Sequence, residues 1–249
     1  MKIFVLGSGT FQPTPERGCS GYLVEIRDKK IVLDTGSGVL RQLSKIGVLA
    51  DNIDFIFYSH LHVDHTADLI PILFVRNNSP NMLNNLTIIG PPGFKDFLDN
   101  LSKIYGKYIE PDNYNLKVIE ISGNLADFKD FRVTFLKMDH SDASYGIRIE
   151  ENSGRVLSYS GDTDLCDNLV ELCRDSNLSI LECTSSNNNK IKGHLTPDDI
   201  SKVAKKSGSE QILLSHISKD VSDEEITSSC QKEYTGNIII AKELEMITL

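Results

Sequence analysis

The chain has 249 residues, 40% of them hydrophobic and 24% charged, with a formal net charge of -9 and a pI near 5.2. That length buries a full core and lies where sandwiches and barrels run as one unit, so a single globular domain over residues 1–249 is expected, neither disordered nor fibrous. The acidic total argues against a broad nucleic-acid footprint, and no run approaches the roughly 18 apolar residues of a membrane span. The opening MKIFVLGSGT is too short in its apolar run for a secretory signal, so no membrane partner and a cytoplasmic location are expected.

The N-terminal third reads as short strands punctuated by glycine, at Lys2 to Gly7, Gly21 to Arg27 and Lys30 to Asp34, which predicts an antiparallel meander. After the Gly36-Ser37-Gly38 turn, apolar residues at Val39, Leu40, Leu43 and Ile46 take helical spacing, and Ile53 to Ser59 returns to a buried strand. Thr66 is expected to cap a helix from Ala67 to about Arg76, followed by a strand at Leu86 to Ile89 and an amphipathic helix from Gly93 to Tyr108. Strands follow at Leu116 to Ile121, Phe131 to Met138, Ser144 to Ile149 and Val156 to Ser160, then a helix near Leu165 to Arg174 and a strand at Ser179 to Leu181. Pro197 after Thr196 starts a helix reaching Lys206. The last stretch gives a strand at Gln211 to Ser215, a helix from Asp223 to Tyr234, and strands near Asn237 to Ala241 and Glu245 to Leu249. Strand-rich segments with helices in each half predict two facing sheets with helices outside, and no repeat at solenoid spacing is visible.

The densest chemistry is Ser59-His60-Leu61-His62-Val63-Asp64-His65, directly after the expected buried strand. Strand alternation puts His60 and His62 on one side, and Asp64 and His65 fall in the turn that opens the next helix. Neutral imidazole and carboxylate suit zinc, manganese or iron, and such a group is costly to bury without a cation to share. The other three histidines, His140, His194 and His216, sit after strands or in a glycine-rich loop, where an α/β layer presents its strand ends. One ion needs three or four protein ligands, so the loop alone cannot complete two sets. Asp162 in Ser160-Gly161-Asp162-Thr163 fits either a helix cap or a ligand, and Asp34 ends a strand with nothing local to pair with. Cys19, Cys166, Cys173, Cys183 and Cys230 are odd in number and lack a C-x-x-C pair, which suits reduced core thiols.

The H-x-H-x-D-H loop resembles the metallo-β-lactamase superfamily. Asp34, His60 to His65, His140, Asp162 and Leu214-Ser215-His216 resemble its sequential motifs over essentially the whole chain. The resemblance implies an α/β (α+β) fold, a four-layer αββα sandwich binding two divalent ions, zinc first with manganese or iron as alternatives. It assigns His60, His62 and His140 to one ion, Asp64, His65 and His216 to the other, and makes Asp162 the bridge. Asp34 would stand behind the loop and hold it without touching metal.

Within the superfamily the chain is most similar to the ribonuclease Z and phosphodiesterase branch. Glu182 in Ile180-Leu181-Glu182-Cys183-Thr184, and His194 in Gly193-His194-Leu195-Thr196, 22 positions before His216, look like its Glu and His pair. By that likeness His194, oriented by Glu182, protonates the leaving oxygen, and Asp64 orients or deprotonates the attacking water. Read without that likeness, Glu182 is more simply a charge at a strand end. Ribonuclease Z enzymes usually carry a long arm gripping transfer RNA between the His140-like and Asp162-like motifs. Here 21 residues lie between them and read as a hairpin around Asn152-Ser153-Gly154.

A phosphodiesterase for cyclic nucleotides, small phosphodiesters or RNA is therefore expected, ahead of transfer RNA 3′ processing, with a homodimer also compatible with the branch. The rivals are a hydrolase of sulfate esters, lactones or thioesters at the same site, whose usual members lack the His and Glu pair, and a redox module or idle metal scaffold. A redox module normally carries a flavin domain, and an idle scaffold should have lost ligands. Specificity is expected from loops at the mouth: Phe11 to Arg17, the Phe74-Val75-Arg76-Asn77 helix end, and Tyr105 to Tyr108 with Lys103 and Lys107, where Arg or Lys would hold phosphate and Tyr would stack on a base.

Overall fold

Alternation along the strands sorts the apolar side chains into three separate layers, and those layers define the architecture. The computed structural model describes residues 1–80 and 84–249. Strands β1 (Lys2–Gly7), β2 (Gly21–Ile26), β3 (Lys29–Leu33), β4 (Phe55–Phe57), β5 (Leu86–Gly90) and β6 (Leu116–Glu120) form one sheet with the closing strand β14 (Met246–Thr248), in the order β14-β1-β2-β3-β4-β5-β6. The second sheet runs β13-β12-β11-β10-β9-β8-β7, from β7 (Leu125–Asp127), β8 (Phe131–Lys137), β9 (Tyr145–Glu151), β10 (Val156–Tyr159), β11 (Leu178–Cys183), β12 (Gln211–Ile217) and β13 (Asn237–Ile240).

Tyr22, Val24, Ile31, Leu33 and Phe57 from the first sheet meet Phe135, Ile147, Leu157, Ile180 and Leu213 from the second in the central core. Their neighbours Leu23, Val32, Ile56 and Ile88 point the other way, onto α1 (Val39–Lys45), α3 (Leu69–Asn78) and α4 (Phe94–Tyr105). Leu181, Ile212 and Leu214 likewise pack on α5 (Asp167–Leu172), α6 (Pro197–Ser207) and α7 (Asp223–Cys230). The order is therefore helices, sheet, sheet, helices, as expected from sequence. Strands covered on each face read as continuous apolar runs, which is why β4, β11 and β12 lack polar alternation.

Each sheet changes character at one strand. β3 pairs antiparallel with β2 and parallel with β4, and β10 pairs antiparallel with β9 and parallel with β11. Ligand crevices form outside the carboxyl ends of strands at such switch points. The loops after β3, β4, β8 and β10 carry Asp34, His60 to His65, His140 and Asp162 in turn, and Glu182 and His216 stand at the carboxyl ends of β11 and β12 themselves.

Several local expectations are corrected. Thr66 does not cap the long helix; it ends the short helix α2 (Val63–Thr66), where its hydroxyl donates to His62 O at 3.0 Å. Asp68 precedes α3 and spends its carboxylate on α1, accepting from Gly38 N and Leu40 N at 3.1 and 2.8 Å. The helices expected at 165–174 and 223–234 are shorter, and the three-residue strand β7, pairing with β8, carried no sequence signal at that length. Thr196 caps α6 as a reciprocal box with Asp199, with Pro197 in its first turn as predicted.

Candidate metal centre

The buried strand β4 stops at Phe57, and the chain then turns outward through His60 and His62 before winding into α2, so four donors leave the sheet within six residues. Asp34 holds that turn. Its Oδ1 accepts from Ser59 N at 2.8 Å, and its Oδ2 accepts from Ser59 Oγ at 2.7 Å, His65 Nδ1 at 2.7 Å and Tyr159 OH at 2.6 Å. Asp34 does so at φ 55 and His216 stands at φ 47, left-handed values that a non-glycine residue keeps where its surroundings over-determine it.

Two groups of donors result. His60, His62, His140 and Asp162 form one, and Asp64, His65 and His216 the other, with the donor atoms in each within 4.8 Å of one another. Asp162 faces each group with a different oxygen. Its Oδ2 is 3.8 Å from His60 Nε2 and 3.8 Å from His140 Nε2, while its Oδ1 is 3.3 Å from His65 Nε2 and 3.6 Å from His216 Nε2. Asp64 Oδ2 lies 3.4 Å from His216 Nε2. All the residues singled out from sequence for metal thus converge, and Asp162 is not a helix cap, since α5 begins after Cys166.

The far side of most of these rings is tied down. His60 Nδ1 meets Ser59 Oγ at 3.0 Å, His140 Nδ1 donates to Gly193 O at 2.9 Å, and His216 Nδ1 meets Thr184 Oγ1 at 2.8 Å. Such outer partners fix which nitrogen faces the centre. Ser59, Thr184 and Gly193 escape a reading based on donor residues, because a hydroxyl or carbonyl has no spacing of its own. Tyr159 reaches Asp34 from the other sheet, 125 residues away, with no sequence signal at all.

His60 Nε2, His65 Nε2 and Asp162 Oδ1 are buried with no hydrogen-bond partner among the described residues. Leaving a buried polar atom unpaired costs about 1–3 kcal/mol, so these orphans, His60 Nε2 in one donor group and His65 Nε2 with Asp162 Oδ1 in the other, fit a cation in each group. Charge is contested in the cluster. Burial and the neighbouring His65 push His60 well below the ordinary histidine value, while at His65 the carboxylates of Asp162 and Asp34 outweigh burial and raise it well above. At Asp162 burial is overcome by His216 and His65, which hold its carboxyl well below the usual range. Anionic carboxylate beside mutually repelling imidazoles is a donor set made for a divalent ion.

His194 completes a third side. Its Nδ1 donates to Glu182 Oε1 at 2.9 Å, its donor atom falls within 4.8 Å of Asp162 and His216, and its ring stands 4.8 Å from that of His140. Burial opposes its charge, but Glu182 wins and raises its pKa to about 9. Glu182 is itself fixed, accepting from Thr163 N at 2.8 Å and Thr184 N at 3.2 Å.

Of the loops expected at the mouth, the one from Phe11 to Arg17 leaves from Ser8, whose carbonyl accepts from Ile217 N, next to His216, at 3.0 Å. Arg17 turns to Asp223 and to Ala241 O. Arg76 is fully buried at 0% exposure, donating to Ala50 O at 2.6 Å and Ile53 O at 3.3 Å and to Asn84 O, carbonyls at the starts of β4 and β5. α3 runs back along the sheet, so its end lies opposite the histidines. Asn77 ties Lys107 and Glu110 to that same end, and Phe74 packs on Tyr108 there. The expectation that Arg76 grips phosphate is corrected accordingly.

A family model described as Beta-lactamase superfamily domain matches residues 29–217. A protein named ribonuclease Z from Ignicoccus hospitalis is 28% identical over 272 residues, with 89% of each chain covered. The crystal structure of the metallo-β-lactamase fold protein YhfI from Bacillus subtilis superposes with a TM-score of 0.87 at 24% identity, over 99% of this chain and 98% of that one. The structure of a diphosphatase from the PhnP family gives a TM-score of 0.77 at 19% identity, over 100% and 97%.

Proposed function

The chain belongs to the β-lactamase superfamily and has the metallo-β-lactamase fold, and from that premise we propose that it is a phosphodiesterase using two divalent cations. The observation that carries the reading is the His194–Glu182 pair beside the two donor groups that share Asp162. A phosphodiester needs two kinds of help: charge on the phosphoryl oxygens, and a proton for an alkoxide that leaves poorly unaided. The donor groups fit the first and the pair fits the second.

In this reading His60, His62, His140 and Asp162 hold one cation, and Asp64, His65, His216 and Asp162 the other, zinc by the mix of imidazole and carboxylate. When bound, divalent cations supply Lewis-acid charge that lowers the pKa of a water and polarises a phosphoryl oxygen. Asp64, the least enclosed carboxylate of the centre, orients the attacking water and takes its proton. His194 keeps Nδ1 as donor to Glu182, so its Nε2 carries the proton for the leaving oxygen. Asp34 positions His65 and the backbone of Ser59 and reaches no reacting atom.

The 21 residues between His140 and Asp162 hold the β9–β10 hairpin and no arm, which favours a small phosphodiester or unstructured RNA over a gripped transfer RNA. The test is turnover by metal-free protein reconstituted with zinc or manganese, using bis-p-nitrophenyl phosphate alongside matched monoester, sulfate ester and lactone substrates. Metal-dependent diesterase activity dominating the panel is the expected result. Diester inactivity with sulfatase or lactonase turnover overturns the phosphodiesterase assignment.

A further inference from the structure

Behind the centre lies a set of contacts that neither the donor groups nor the His194–Glu182 pair accounts for. Asp164, two residues after Asp162, joins three loops. Its backbone N donates to Asp139 O at 2.8 Å, next to His140. Its Oδ1 accepts from its neighbour Leu165 N at 2.7 Å and from Lys190 Nζ at 2.6 Å, and its Oδ2 accepts from Gly193 N at 3.2 Å. Lys190 extends the link to Asp199, which closes the capping box of α6 just past His194. Gly193 is the point where these lines cross: its N is held by Asp164, its O accepts from His140 Nδ1, and the next residue is His194.

We propose that Asp164, with Lys190 as its counter-ion, is a positioning residue that fixes the Gly193–His194 segment against the metal centre, so that the proton donor and the His140 ring keep one spacing. The argument rests on the functional reading above. Glu182 fixes the orientation of the His194 ring, and the segment between β11 and α6 is closed on itself by Ser185 N to Leu195 O at 3.0 Å and His194 N to Ile191 O at 3.2 Å, but those bonds do not tie it to the loop that carries Asp162, which the Gly193 N bond to Asp164 does. Loops drift unless their backbone groups are held. Gly193 takes φ 84, and a side chain there would meet His140 Nδ1 at 3.0 Å, so the backbone passes close to that ring and needs an external hold. An ion pair this exposed adds little to folding, so the competing view is a surface bridge of no consequence.

Asp164→Ala removes the acceptor for Gly193 N and the partner of Lys190 together; Asp164→Asn keeps an acceptor and loses the charge; Lys190→Arg keeps the ion pair. Zinc-loaded proteins are compared on bis-p-nitrophenyl phosphate, whose leaving group needs no acid, and on the dinucleotide thymidylyl-thymidine, whose leaving group is an alkoxide. Metal content is measured on the same samples, and the ring nitrogen signals of His194 and His140 are followed by NMR in 15N-histidine protein. Expected for Asp164→Ala are shifted ring signals of His194 and His140, unchanged metal content, and a kcat reduced about 10- to 100-fold on the dinucleotide but little on the nitrophenyl ester. Asp164→Asn should be intermediate and Lys190→Arg near wild type. Equal losses on the two substrates with falling metal content, or unmoved His194 signals, overturn the positioning role. Should the wild type hydrolyse neither ester, the phosphodiesterase reading fails, and the ring signals still decide whether Asp164 positions His194.

Discussion

The two halves of the molecule reach the same edge by different means. Each half opens as an antiparallel meander and turns parallel at one strand, β3 or β10, and each of those strands is followed by an aspartate and a threonine, Asp34-Thr35 and Asp162-Thr163. From there they diverge. The first half delivers His60, His62, Asp64 and His65 from a single turn, held from behind by Asp34. The second delivers its donors one at a time, His140, Asp162 and His216, and its two histidines have separate anchors, Gly193 O and Thr184 Oγ1. The aspartate at the equivalent place faces backward in one half and into the centre in the other. A contiguous turn needs one anchor, whereas dispersed histidines need an anchor apiece.

The strongest test of that contrast is Asp162→Ala. Because Asp162 serves each donor group, zinc affinity should fall by more than the roughly 10- to 100-fold that losing an outer partner costs, read by metal content after dialysis against defined free zinc. Full retention of two ions would mean that the first half holds metal unaided, and the contrast would collapse. His194→Ala should spare the metal and lower turnover of alkoxide-leaving diesters about 10²- to 10⁴-fold, the usual range for an acid group. An unchanged rate there would sink its proton-donor role.

Asp34→Asn probes the single anchor of the first half. Asp34 Oδ2 accepts from three donors, so an amide nitrogen in that place would confront them, and an amide oxygen there would leave its nitrogen facing Ser59 N. Zinc affinity should drop about 10- to 100-fold, and the step involving His65 should suffer more than the step involving His140. Thr184→Val, which strips one partner from His216 alone, should cost less, and stepwise zinc titration of the two variants separates the cases.

The same contrast explains what was legible in the sequence. A strand end carrying four donors in six residues is a local pattern, and the alternation that separates the three apolar layers is likewise local. His140, Asp162 and His216 were recognisable by resemblance, but nothing in their own neighbourhoods fixed which ion group each would join. The errors lay where contacts are non-local. Arg76 looked like an exposed helix end until the return path of α3 buried it among carbonyls at the starts of β4 and β5. Thr66 looked like a cap because the turn from α2 into α3 has no composition of its own.

A pH-dependent effect isolates the pairing of His194 with Glu182 in the second half. In metal-free protein His194 has a pKa raised to about 9, against roughly 6.5 in an unfolded chain, so the fold favours its protonated form. That contribution is present in full below about 6.5 and is lost as pH rises through about 9; its ceiling is roughly 3 kcal/mol at about 1.4 kcal/mol per unit. Glu182→Gln removes most of it, so urea unfolding should separate wild type from variant clearly at pH 6 and less at pH 10. His65 is also raised, by Asp162 and Asp34, but it is common to the two proteins and cancels in the difference. Part of the gap should survive at high pH, because Glu182 also accepts from the backbone of Thr163 and Thr184 whatever the charge on His194. A gap that does not change with pH would make Glu182 an anchor for those two amides alone, and the proton on His194 would then owe nothing to it.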